Sequence, residues 1–553
     1  MKKKMGLVLA ALLAITSVTA GCSSSSSSGT TAPQGQQQAA PQATAEKPAV
    51  EQKIIYALSK EPEEMDPTLN VYARSSIVLQ NLFRGLYKID ESGKKPVPSL
   101  AESYELDSTG TKYTFKLNKN AKWSDGKPVT AQDFEYSWKR VLNPDVASGA
   151  AFYLYYLKNG KAYNEKKASA DEVGVKAVDE STLEVTLESP TPYFLELLCV
   201  TAYYPVRKDA VEKEGWTKSP ETYLTTGPFV LSELKPKEKY VLKKNPNYLE
   251  ADKVKLDTLE IVFIESSEAE LAAYTNDEIQ VSDNMTPEGM KRFENTPEFF
   301  SVPRIGMQYF DFNASKKPFD DAKVRKAFSM AINREQIIKS IVQSVEKPAF
   351  GFVPYGIPDG VQKDKEYRDV AGNMFTENVD EAKKLLAEAG YPDGQGMPEI
   401  TMIVMASQSD KDIAQALQSM WKQNLGVNVN IETFESKVYW DEIDNGSFNI
   451  ASDGWTGDYP DPMTNLDIFE SVNASDDIRW SNPEYDRLLD ENRKISDQAK
   501  RMENYAKAEK ILADEMPLMP LRFYEDQFLA KPNVKGVLKN YIGHTIFEYA
   551  HVE

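Results

Sequence analysis

Between Val50 and Glu553 the chain has a single cysteine, Cys199. A body of that size has no disulfide to staple it, so packed hydrophobic cores must hold it together. Cys199 sits in the apolar and aromatic run LELLCVTAYYPV (residues 195–206), which predicts a buried, inert thiol rather than a nucleophile. Hydrophobic residues make up 41% of the chain and charged ones 27%, ample for large cores, so wholesale disorder is excluded. At roughly 150 residues per domain, the length predicts about three to four domains.

Residues 1–49 are of another kind. Lys2, Lys3 and Lys4 precede an apolar run from Met5 to Ile15, and small residues follow at Thr19, Ala20 and Gly21. This is the layout of a secretory signal peptide, and the run is too short to span a membrane, which takes about 20 residues. Ala20-Gly21-Cys22 resembles a bacterial lipobox, whose cysteine is diacylated and becomes N-terminal after cleavage, although Thr19 stands where Leu is usual. The alternative is an ordinary signal peptide cut nearby, with Cys22 left as a free thiol. Residues 23–49 carry no large apolar side chain and cannot bury a core. Residues 22–49, about 28 in number, form a Ser/Gln/Ala/Pro-rich flexible tether spanning roughly 30 Å root-mean-square. The expected organisation is therefore a signal peptide at 1–21, a tether at 22–49 and a folded body from 50.

Charge and composition narrow the chemistry. Lys and Arg number 65 and Asp and Glu 84, a net charge of −19 that opposes any sequence-independent grip on nucleic acid. His544 and His551 are the only histidines. That scarcity argues against His-based metal clusters and most Ser-His or Cys-His catalytic schemes. The sequence has no Walker loop, G-x-G-x-x-G, G-x-S-x-G, H-E-x-x-H or cysteine pair in the body. No metal, cofactor or catalytic residue is expected. A carboxylate pair remains open among so many acids, which leaves a secreted hydrolase as the alternative from another class.

Periodicity predicts mixed α and β structure without internal repeats. Strands are expected at Lys53–Leu58, Thr111–Leu117, Ile400–Val404 and Val427–Ile431, with a hairpin from Val173–Val178 to Thr182–Leu187. Helices are expected over 75–87, over 131–141 behind an N-cap at Thr130, from Asp320 through Ile338, over Asp380–Gly390 and over 411–424. Strand 400–404, helix 411–424 and strand 427–431 resemble a βαβ unit.

One segment stands apart: Phe448-Asn-Ile-Ala-Ser-Asp-Gly-Trp-Thr-Gly-Asp-Tyr-Pro-Asp-Pro462. A short strand over 448–452 runs into Gly454, Trp455 and Gly457 and then an acidic, Pro-punctuated loop. Glycines let another backbone approach a sheet edge, Trp455 offers a flat wall, and a nearby carboxylate suits an ammonium group. The competing reading is a surface turn in which Asp458 or Asp461 caps local amides.

Several spaced motifs carry a resemblance over about nine tenths of the chain, from about residue 53 on. They are Leu100-Ala-Glu-Ser-Tyr104, Tyr113–Leu117, the run AKWSDGKPVTAQDF (121–134), Tyr136-Ser-Trp-Lys-Arg140, Pro228-Phe229, Asn245-Pro-Asn-Tyr248, the Asp380–Gly390 helix and Trp455-Thr-Gly-Asp-Tyr459. In these the chain resembles the large peptide-binding members of solute-binding protein family 5, the oligopeptide type most of all. The resemblance implies a mixed α/β, type II periplasmic-binding-protein fold: three lobes around a ligand cleft with a hinge. Lobe I would comprise 50–85, 207–305 and 527–553, lobe II 86–206 and lobe III 306–526.

The implied function is capture of extracellular oligopeptides and delivery to a membrane-embedded ABC permease with its ATPases. The implied protein is a monomer held at the outer face of the bacterial membrane by lipid on Cys22. Dipeptides, murein peptides or pheromones are alternative ligands within the family. Carried over by motif, Asp458 would bind the peptide α-ammonium. Main-chain contacts would come from Asn70, Val71, Tyr72, Ala73, Gly454, Trp455 and Thr456, and pocket walls from Tyr153, Asn284, Tyr309, Trp440 and Tyr524. The chain departs from enteric members in three ways. Residues 441–452 contain no Lys or Arg, Gly306 and Thr456 stand where those members have a disulfide, and Arg304 and Asp453 add charge nearby.

Overall fold

A computed structural model describes residues 50–362, 364–474 and 478–553. The expected signal peptide, tether and Cys22 lie outside the described residues. β1 (Lys53–Leu58) has the predicted bounds and buries Ile54, Tyr56, Ala57 and Leu58. α1 (Ala73–Leu82) ends sooner than predicted because Phe83 is extended and a short strand starts at Tyr87. β2 (Ala101–Leu106) pairs with β3 (Lys112–Leu117), whose alternation buries Tyr113, Phe115 and Leu117. α2 (Ala131–Leu142) starts at the predicted cap, where the Thr130 N–H donates to the Asp133 carboxylate at 2.9 Å. The predicted hairpin forms from β4 (Val175–Asp179) and β5 (Thr182–Thr186), completing a four-stranded sheet in the order β2-β3-β5-β4.

A second sheet has eleven strands, the first of them β1. Next along the chain come β6 (Phe229–Lys235), β7 (Lys239–Lys244), β8 (Thr258–Phe263), β9 (Val281–Ser282) and β10 (Phe299–Phe312). After α3 (Ala322–Met330) come β11 (Lys347–Pro348) and β12 (Thr401–Met405). α4 (Gln408–Leu425) then leads to β13 (Asn430–Phe434), and β14 (Ile450–Thr456) and β15 (Leu518–Ala530) close the set. The order is β13-β12-β14-β10-β15-β9-β1-β8-β7-β6, with β11 beside β15. β12, α4 and β13 form the predicted parallel βαβ unit. β13 starts later than expected because Val427 and Val429 are buried behind the helix instead of lying in a paired strand. The helix expected from Asp320 through Ile338 is interrupted at Ala331–Asn333, where the Asn333 side chain accepts from the Gln336 N–H and caps a new turn.

β10 and β15 are the longest strands and belong to both halves of the large sheet. Their antiparallel pairing shifts register between Pro303 and Met307 and again between Gln308 and Tyr309. Pro303 has no N–H to give to a ladder, so a break there is physically expected. The lobe boundaries expected at 305/306 and 526/527 fall inside these two strands.

Residues 544–552 return to the first strand and helix. The Gln52 side-chain amide donates to the Val552 carbonyl at 2.8 Å, and the Asn81 carbonyl oxygen accepts from the Phe547 N–H at 2.8 Å. Glu548 is buried between Arg84 and Lys88, each at 2.6 Å, and accepts from the Tyr248 hydroxyl at 2.6 Å. Those cations hold its carboxyl down at about 2 against the cost of burial. No helix among the described residues is long and apolar enough to cross a membrane.

Candidate functional site

β14 is paired along its whole length on one side and for two residues on the other. β10 matches it from Phe312↔Ile450 to Gly306↔Thr456, whereas β12 meets it only at Ile450 and Ala451. From Asp453 to Thr456, one edge of the strand therefore faces no other strand among the described residues. Gly306 and Thr456 are direct partners across the ladder.

The chain leaves this strand into Gly457, whose N–H donates to the Ile305 carbonyl at 2.8 Å, and then Asp458. The Asp458 N–H donates to the Thr464 hydroxyl at 2.9 Å, and its carboxylate accepts from the Tyr153 hydroxyl at 2.9 Å. Tyr153 lies on a single 3-10 turn, Ala151–Leu154, and its own carbonyl accepts from the Tyr203 hydroxyl. Beside them Tyr193 and Tyr459 stack with centroids 4.4 Å apart, bracing the loop against the small-sheet region. Asp458 has no ion-pair partner among the described residues. Burial pushes its carboxyl up to about 6, and the Tyr153 hydrogen bond only partly offsets that.

Asp458 faces a cavity of about 190 Å³. One wall is the entry to α1: Asn70, Val71, Ala73, Ser76 and Gln80. The other walls are Tyr153, Val200 and Thr201, the strand end Thr456–Asp458, and Ile542 with His544. Drug-sized ligands fill about 300–1,000 Å³, so this space suits a residue-sized fragment rather than a whole oligopeptide. Val71, Tyr72 and Ala73 are exposed, with Tyr72 extended and Ala73 opening the helix, and the Tyr72 N–H is already taken by the Asn70 side chain at 2.9 Å.

The cavity thus brings together Asn70, Val71, Ala73, Tyr153, Thr456 and Asp458 from the residues singled out in the sequence. Gly454 and Trp455 are next along the open strand, and the Trp455 indole N–H is fixed on the Thr464 carbonyl at 2.7 Å. Tyr524 packs over Gly306 and Gly454, where a methyl on either glycine would overlap its ring or hydroxyl. Gly454 therefore makes room for an aromatic side chain of this protein, a use of the glycine that the sequence did not reveal. The Arg304 guanidinium lies 4.6 Å from the Tyr524 ring and pairs with Asp526 at 3.5 Å. Tyr309 is buried, its hydroxyl 3.5 Å from the Asp453 carboxylate and its ring edge-on to Phe469. Trp440 is 41% exposed on the helix Ser436–Asp444, and Asn284 donates to the buried Glu270 carboxylate at 2.5 Å. Neither lines this cavity.

Sequence reasoning missed four other polar lining residues, Ser76, Gln80, Thr201 and His544. The one available signal was His544 itself, half of the histidine content of the chain. Cys199 is buried, with its thiol pushed up by desolvation. Among the described residues, no group of three or more His, Cys, Asp or Glu is placed to hold a metal ion. Chemically, the arrangement offers strand-edge hydrogen bonds leading to one uncompensated anionic group.

Known proteins resemble this chain over most of its length. The oligopeptide-binding protein OppA of Bacillus subtilis (strain 168) is 35% identical over 506 residues, covering 89% of this chain and 91% of its own. Among solved structures, the unliganded open form of the periplasmic murein tripeptide binding protein MppA superposes with a TM-score of 0.79 at 32% identity. That match covers 91% of this chain and 98% of MppA. Listeria monocytogenes OppA bound to peptide matches with a TM-score of 0.72 at 29% identity, over 91% of this chain and 99% of its own. The model for bacterial extracellular solute-binding proteins, family 5 Middle, matches residues 95–477. With more than half of its length under that model, this chain belongs to bacterial extracellular solute-binding protein family 5.

Proposed function

We propose that the protein captures oligopeptides outside the cell and hands them to an ABC permease, itself catalysing no reaction. The observation that carries this reading is the open edge of β14 at Asp453–Thr456, which leads to the unpaired carboxylate of Asp458. A peptide added along such an edge is held by its main chain, which every sequence shares, so side-chain identity is tolerated. Asp458 takes the α-ammonium, Val71 and Ala73 supply main-chain groups from the opposite wall, and Trp455, Tyr153, Tyr309 and Tyr524 flank the path. Asn284 and Trp440 stand away from the terminus pocket and serve, in this reading, only more distant parts of a ligand.

The three lobes hinge where β10 and β15 change register, and the protein acts as a monomer tethered through lipid on Cys22 at the outer face of the membrane. Support for this localisation comes from the signal-peptide layout and from relatives that are extracellular or periplasmic binding proteins. Calorimetry with tri- to octapeptides and their blocked forms tests the reading. Binding without turnover is expected, and absence of binding to any free-amino peptide, or hydrolysis of it, would overturn it.

A further inference from the structure

The cavity lining holds a second polar group besides Asp458, the ring of His544. His544 is 6% exposed, on a hairpin turn made possible by Gly543 at φ +85°. Its tautomer follows from a chain of hydrogen bonds. The Asn540 side-chain oxygen accepts the backbone N–H groups of Ile542 at 3.2 Å and His544 at 2.9 Å. The Asn540 amide nitrogen must then be the donor to the Gln80 side-chain oxygen, at 3.1 Å. Gln80 is left with its amide N–H directed at His544 Nδ1, 2.9 Å away. A ring nitrogen that accepts is unprotonated, so the neutral ring carries its hydrogen on Nε2. Burial and the neighbouring charge of Lys539 hold the ring down at about 3, which keeps it neutral throughout the physiological range.

Nε2–H has no hydrogen-bond acceptor among the described residues, and His544 lines the cavity. Two hydroxyls of the same lining are in a similar position. Ser76 Oγ and Thr201 Oγ1 each accept from the Asn70 amide, at 2.8 and 3.3 Å, which leaves each hydroxyl hydrogen free to turn toward the space. The cavity lining thus combines one carboxylate with a set of uncharged donors.

We propose that His544 is a specificity-determining residue that donates Nε2–H to the side chain of a peptide's first residue, selecting side chains with an uncharged oxygen acceptor. The proposal rests on the reading that Asp458 binds the α-ammonium, since that fixes where the first side chain lies. An apolar side chain of the same size displaces water from the donor without replacing its partner. Sites built around hydrogen-bonding groups discriminate against such analogues for that reason. Acidic first residues are disfavoured by Asp458 itself.

The test is calorimetry with Asn-Ala-Ala against Leu-Ala-Ala and Thr-Ala-Ala against Val-Ala-Ala, read as the affinity ratio within each pair. The wild-type protein should prefer the Asn and Thr peptides by about three- to tenfold, the range of one net hydrogen bond. His544→Leu should bring both ratios to about one or below, and His544→Gln, which keeps an N–H donor, should restore part of the preference. Equal or tighter wild-type binding of the Leu and Val peptides overturns the proposal, as do ratios that survive His544→Leu. The wild-type ratios decide the matter even if His544→Leu fails to fold. N-acetyl-Ala-Ala-Ala separates the underlying reading: if it binds as well as the free peptide, the assignment of Asp458 fails. If acetylation abolishes binding while the ratios are flat, only the role of His544 fails.

Discussion

Tyr153 and Asp458 are 305 residues apart in the chain and meet hydroxyl to carboxylate at 2.9 Å. A phenol supplies a hydrogen bond but no positive charge, so the anion it contacts is only partly stabilised. The carboxyl consequently stays raised, at about 6, and an ammonium group is the better partner. Site and scaffold have opposite interests at this residue, and that opposition can be measured.

Asp458→Asn should lower affinity for a free-amino tripeptide by about tenfold or more, because a ligand cation is then buried without its counter-charge. The same substitution should leave the melting temperature of the ligand-free protein unchanged or raise it, since the charge removed is one that burial disfavours. Unchanged affinity by calorimetry would sink the assignment.

Affinity should also depend on pH in a defined way. Below about 6 the carboxyl is protonated in the empty site and binding weakens toward about tenfold per unit. Above about 8 the peptide's own amine loses its proton, so binding weakens again and the optimum lies between. Glu196 and Asp467 are also raised by burial, both to about 7, so the acid limb needs a control. It should vanish in Asp458→Asn. A limb that persists in that variant belongs to other groups.

Blocking the two ends of a peptide should have unequal effects. N-acetylation removes the charge that Asp458 meets, whereas C-terminal amidation removes a charge for which residues 441–452 offer no Lys or Arg. Calorimetry on one tripeptide and its two blocked forms should show the larger loss on acetylation, and the reverse order would contradict the proposed orientation.

Gly454→Ala tests how the open strand is held. A methyl there collides with the Tyr524 hydroxyl, and overpacking of this kind costs about 1–3 kcal/mol. Adding Tyr524→Phe removes the colliding oxygen and should recover most of that loss in urea melts. Failure of the second substitution to rescue the first would mean that the strain lies elsewhere.

Much of this was legible in the sequence for identifiable reasons. β1, β3 and α2 announce themselves because each obeys one local rule, alternation at Tyr113, Phe115 and Leu117 or a cap at Thr130 and Asp133. Asp458 was singled out by the family resemblance, since the residues alone left it level with Asp461 as a cap of a surface turn. The rest of the lining was not legible, because Gln80, Thr201 and His544 come from three distant segments that only tertiary structure brings together. The interruption at Ala331–Asn333 was hidden for a different reason: apolar periodicity continues across it, and only the capping hydrogen bond of Asn333 reveals the new start.

Glu548→Gln should be among the most destabilising single changes away from the site. It leaves Arg84 and Lys88 buried with one full counter-charge fewer, and breaking such a pair typically costs about 3–5 kcal/mol. Because its folded-state value is lowered to about 2, the stabilisation is complete above the ordinary Glu range near 4.5 and lost as pH falls toward 2. The difference between wild type and variant in urea melts should therefore shrink across that acid interval. A gap that stays constant would refute the link to this carboxylate.

The return of residues 544–552 to the first strand and helix also sets the order of assembly. Arg84 waits for a partner synthesised 464 residues later, and Gln52 for one 500 residues later. Contacts so distant in sequence delay folding, because the whole intervening loop must close before they form. Until Glu548 arrives, a growing chain holds Arg84 without its buried counter-ion, so the packing around α1 stays incomplete. The last-made segment of the chain, rather than its first, is the latch.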